Sequence, residues 1–109
     1  MDQRTPQEKL NALADHIEGL GYGEFDQDSP SKCVVPHGLK LLGHDPNRVH
    51  DEISVFADEY GISYFDAKAI YWANYGQLGI GEKNRPTWWV DQFLAARILR
   101  KFAAEGAIG

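Results

Sequence analysis

A single cysteine, Cys33, stands among the 109 residues of the chain. It excludes an intramolecular disulfide and any zinc site built from several thiolates. Long apolar runs are missing too, and none approaches the ~18 residues that a membrane-spanning helix needs. The opening Met-Asp-Gln-Arg-Thr lacks the apolar stretch of a secretory signal. These absences predict an intracellular, cytoplasmic protein without a membrane partner. Basic residues are scarce, 11 Lys and Arg against 16 Asp and Glu, for a formal charge of −5. Nucleic-acid binders usually gather positive charge on one face, because phosphate contacts carry most of their affinity. Here only Arg85, Arg97, Arg100 and Lys101 cluster, so nucleic acid is not an expected partner.

What is present suffices for a core. Hydrophobic residues make up 43% and charged residues 25%, the globular range rather than the disordered one. Thr5-Pro6-Gln7-Glu8 combines a cap, a proline suited to the first helical position and a capping-box glutamate. Leu10, Leu13, Ala14, Ile17 and Leu20 then return every three or four residues, one apolar stripe of a helix. Ser29-Pro30 opens a second segment whose inward residues are Cys33, Val34, Leu39 and Leu42, ending at Gly43. Pro36 lies inside it, so either the helix kinks or a shorter one begins near Pro36. Asp45-Pro46 repeats the start signal, and Gly61 ends the stripe of Val49, Ile53, Phe56 and Tyr60. Ser63 caps a fourth helix, and a last one opens at Pro86 or Thr87 with Val90, Phe93, Leu94, Leu99 and Phe102 facing inward. No period-two strand is visible. The pattern predicts one all-α domain over residues 1–109, a small orthogonal bundle of about five helices without a sheet. The expected helices are 6–20, 30–42, 46–60, 64–75 and 87–105.

Several residues could carry chemistry. Cys33 and His37 are one helical turn apart, and a thiolate beside a histidine at a helix start is how a cysteine hydrolase activates its nucleophile. Asn74 could orient such a pair. Against this, no local catalytic signature accompanies it, and free cysteines are usually small core residues; His37 would then lie exposed beside a helix break. His16, His37, His44 and His50 have no familiar metal-site spacing and read as solvated surface histidines. The acids Asp51, Glu52, Asp58 and Glu59 fit the solvated face of the third helix. The glycines of residues 76–81 follow a helix rather than a strand and lack a closing Gly-Lys-Ser/Thr, so they make a connector, not a phosphate loop. Neither a cofactor nor a metal is expected. The doublets Tyr71-Trp72 and Trp88-Trp89 each place two large rings about 100° apart around a helix. One ring of each, Trp72 and Trp88, is expected to reach the surface, where aromatics anchor protein interfaces.

Taken together, Ile17-Glu-Gly-Leu-Gly-Tyr22, the run Lys32-Cys-Val-Val-Pro-His-Gly-Leu-Lys-Leu-Leu42, Ile70-Tyr-Trp-Ala-Asn74 and Arg85-Pro-Thr87 form a pattern. It resembles an uncharacterised family of small helical proteins encoded by actinobacteria and their phages, over about residues 8–103. In that family the glycine follows the cysteine by three residues, and here it follows by five. The resemblance implies no activity, but it points to a phage accessory protein or a host protein of similar style. The function expected is therefore a non-enzymatic protein-binding module acting on a host protein, in the host cytoplasm if phage-encoded. Its anchors would be Trp72, Tyr75 and Trp88, beside the loop 76–85. Two alternatives stay open: a hydrolase using Cys33 and His37, and an acidic inhibitor that competes with nucleic acid for a basic groove. A homodimer also stays open.

Overall fold

A computed structural model describes residues 4–21, 24–25, 32–48, 50–77 and 88–105, without the side chains of 72–77, 88–91 and 94. These residues form an all-α bundle. α1 spans Pro6–Glu18, α2 Val34–Leu41, α3 Glu52–Tyr60, α4 Tyr64–Gln77 and α5 Trp88–Glu105, with a 3-10 turn at Pro46–Arg48. No strand occurs among the described residues, and no described helix is long and apolar enough to cross a membrane.

α1 starts as its sequence dictates. The Thr5 hydroxyl accepts from the Glu8 N–H at 3.2 Å, and the Glu8 carboxylate accepts from the Thr5 N–H at 3.0 Å. The reciprocal pair satisfies donors that the first turn cannot satisfy itself. Leu10, Leu13, Ala14 and Ile17 are buried along one stripe. That stripe packs most extensively on α5. The two helices run antiparallel, Gln92 meeting the end of α1 while Phe102 and Ala103 lie beside Pro6 and Leu10. Arg100 of α5 holds Asp15 Oδ1 at 2.5 Å and Glu18 Oε1 at 2.6 Å. Deeper in, the Gln92 side-chain amide donates to the carbonyls of Ile17 at 2.7 Å, Glu18 at 3.2 Å and Leu20 at 2.7 Å. The C-terminal carbonyls of α1 thus find their donor on another helix.

Two predicted helices begin well after their expected starts. The second begins at Val34, not at Pro30, with Cys33 as its N-cap. Pro36 then falls in the first turn, where its missing N–H has no intrahelical partner to lose. The third does not run unbroken over 46–60. Asp45 Oδ1 accepts from the Asn47 N–H at 3.0 Å and Arg48 N–H donates to the Asp45 carbonyl at 3.0 Å, which closes a tight 3-10 turn. Asp51 restarts the helix by accepting from the Ser54 N–H at 3.2 Å and the Ser54 hydroxyl at 2.9 Å. Gly61, at φ 69°, ends α3 in the left-handed region that favours glycine.

α2 packs against α1, α3 and α4. Gly38 faces Phe56, whose ring occupies the space a Cβ would need. The Phe56 ring stacks on Tyr60, with centroids 4.5 Å apart. The Tyr60 hydroxyl donates to the Gly38 carbonyl at 2.8 Å. This glycine therefore lets α3 close onto α2.

Candidate functional site

Val34, Val35, Pro36, His37, Gly38 and Leu39 are all buried, as suits a helix segment enclosed on every side. His37 is the polar member of that run, 7% exposed. Its Nε2 lies 2.8 Å from the Glu24 carbonyl oxygen. A carbonyl can only accept, so Nε2 carries the proton and Nδ1 keeps the lone pair of the neutral ring. The ring stacks on Phe25, with centroids 5.7 Å apart at 30°. It also meets His16 of α1 at 6.1 Å and 58°. Burial holds the His37 pKa below the ordinary imidazole value. The Glu24 carbonyl works against that shift, and the charges of Lys40 and His16 add to it.

These groups open onto a cleft of about 580 Å³. His16 and Leu20 line it from the end of α1, Glu24 from the following turn, and Lys32, His37, Lys40 and Leu41 from α2 and its entry. The Glu24 carboxylate is held by the Gly21 N–H at 2.7 Å. Among the described residues no carboxylate pairs with His16 or Lys40. In a chain with a net charge of −5, this cleft collects two lysines and two histidines.

The structure brings Cys33 and His37 one turn apart, the His37 backbone N–H donating to the Cys33 carbonyl at 3.3 Å. The thiol, however, belongs to a 4% exposed N-cap residue. A nucleophile must be reachable and thiolate-prone, and this one is enclosed. The expectation of an exposed His37 is corrected: α2 starts at Val34 and its first turn carries the ring under Glu24 and Phe25. Asn74, Trp72 and Tyr75 fall on α4 and Trp88 on α5, but their side chains lie outside the described residues. So do residues 78–85 of the predicted connector, while 76 and 77 extend α4. His44 Nε2 sits 2.9 Å from Glu59 Oε1 at the surface. No group of three or more potential ligands could hold a metal among the described residues.

Three large aromatics among the described residues are exposed. Phe65 is 84% exposed, Phe93 48% and Tyr64 43%. Apolar spacing puts Phe93 inside, but the buried stripe of α5 runs through Gln92, Ala95, Ala96, Leu99, Phe102 and Ala103. Ser63 caps α4, its hydroxyl accepting from the Asp66 N–H at 3.0 Å. Lys68 Nζ stands 5.8 Å from the Tyr64 ring centroid, one turn on. Phe65 could have been found from spacing alone: Ala67 and Ile70 define the inner side of α4, and position 65 lies on the opposite side. No known protein family, curated protein or solved structure matches the chain.

Proposed function

We propose that the protein is a non-enzymatic binding module that docks on another protein through the outer side of α4. The observation that carries this is Phe65, 84% exposed in the first turn of a capped helix. A bare phenyl ring held on a rigid element is the kind of anchor that fills a partner's pocket at little entropic cost. Tyr64 stands next to it, half-exposed. The enclosed thiol of Cys33 favours binding over cysteine catalysis. The resemblance to phage and actinobacterial proteins makes a host protein the partner to seek.

Replacing Phe65 with Ser should abolish capture of that partner from host lysate, while circular dichroism and the melting temperature stay unchanged. Capture of the same proteins by the Phe65→Ser variant would overturn the proposal.

A further inference from the structure

A different surface of the molecule has the form of a ligand site. The cleft bounded by the end of α1, the turn at Glu24 and α2 has a volume of about 580 Å³. That lies within the range of small-molecule pockets. Its walls divide by chemistry. Leu20 and Leu41 supply apolar surface, Lys32 and Lys40 supply ammonium groups, and His16 and His37 supply imidazole rings. Among the described residues Glu24 is the acid on the wall, and its carboxylate accepts from the Gly21 N–H at 2.7 Å. His37 is set rigidly into the wall, 7% exposed, with Nε2 fixed on the Glu24 carbonyl and its ring stacked on Phe25. Small-molecule sites pair an apolar lining with a few such fixed polar groups.

We infer that this cleft binds a small amphiphilic oxyanion, a carboxylate or phosphate head carried on a short apolar body. The head takes the cationic side, near Lys40 and the two imidazoles. The apolar body lies along Leu20 and Leu41. Charged nitrogen donors such as Lys40 recognise such a head by charge-assisted hydrogen bonds.

One consequence separates this site from a merely sticky groove. In the free protein, burial holds the His37 pKa below the ordinary imidazole value, with Lys40 and His16 adding to that shift and the Glu24 carbonyl and carboxylate pulling the other way. An anion placed beside His16 and Lys40 offsets that repulsion and favours imidazolium. Binding therefore raises the pH at which His37 titrates, and by reciprocity the ligand binds more tightly as the pH falls.

The test is an NMR titration of the histidine ring protons with three probes: octanoate, phenyl phosphate and octylamine. Octanoate and phenyl phosphate should both shift His16 and His37 and raise the His37 midpoint, and octylamine should do neither. Lys40 is exposed, so Lys40→Glu should fold normally and weaken octanoate about tenfold, as expected for reversing one nearby charge. An unmoved His37 with both acids, an equal response to octylamine, or unchanged octanoate affinity in Lys40→Glu would overturn the assignment.

Discussion

At position 38 a single methyl group decides whether two helices can meet. A Cβ there would overlap the Phe56 ring and sit 3.1 Å from Leu13 Cδ2. Gly38→Ala should therefore cost about 1–3 kcal/mol by overpacking, despite alanine's better helix propensity. Gly43 makes the control. Nothing lies within 4 Å of its would-be Cβ, but its φ is 90°, so Gly43→Ala should cost only about 1 kcal/mol of backbone strain. Chemical denaturation of the two variants ranks them, and an equal loss would contradict the close approach at Gly38. Residue 37 makes a second prediction. Its folded-state pKa is held below the ordinary value by burial, so between the two values the unfolded chain binds the extra proton. Stability is then greatest above about pH 6.5 and falls as the pH drops toward the folded-state pKa. Denaturation midpoints should decline between about pH 7 and pH 5, with a shallower decline in His37→Gln. An equal slope in both proteins would place the proton uptake elsewhere.

Among the helices, the pairing of α1 with α5 rests on two unlike contacts. Arg100 bridges Asp15 and Glu18 from a partly exposed position, where solvent screens the charges. Gln92 is buried and satisfies three carbonyls at the end of α1. Arg100→Ala should cost no more than about 1 kcal/mol, and less at high salt. Gln92→Leu leaves those carbonyls without that donor and should cost about 1–3 kcal/mol. Melting curves that reverse this order would remove Gln92 as the buried link.

The same pair shows what is legible in the sequence and what is not. Helix starts written as a cap plus proline are readable where one cap acts alone, as at Thr5-Pro6. The identical signal at Asp45-Pro46 makes only a 3-10 turn, because Asp51 supplies a second cap six residues later. Stripe spacing identifies Leu10, Leu13, Ile17, Phe56 and Tyr60 as core. It misplaces Phe93 because Gln92, a polar residue, holds the buried register on α5. Contacts closed across many residues are invisible to periodicity: Gln92 reaches Ile17 across 75 positions, and His37 reaches Glu24 across 13. The neighbours Cys33 and His37 are legible as a pair, but their burial depends on those distant segments.

For the molecule as a whole, the bundle keeps its two candidate surfaces apart in composition. The cleft beside α2 carries Lys32, Lys40 and two histidines and is lined by two elements and a turn. The outer side of α4 offers Phe65 and Tyr64 to solvent. Losing Phe65 should leave octanoate binding unchanged, and Lys40→Glu should leave protein capture unchanged; cross-effects in both directions would mean one shared surface. The proposed docking face is tested most directly by site-specific photocrosslinking in host lysate. A benzophenone-bearing residue replaces Phe65 in one sample and the exposed Asn47 in the other. A discrete protein adduct formed from position 65 and absent from position 47 is the predicted result; no adduct at 65, or the same adducts at both positions, would contradict it.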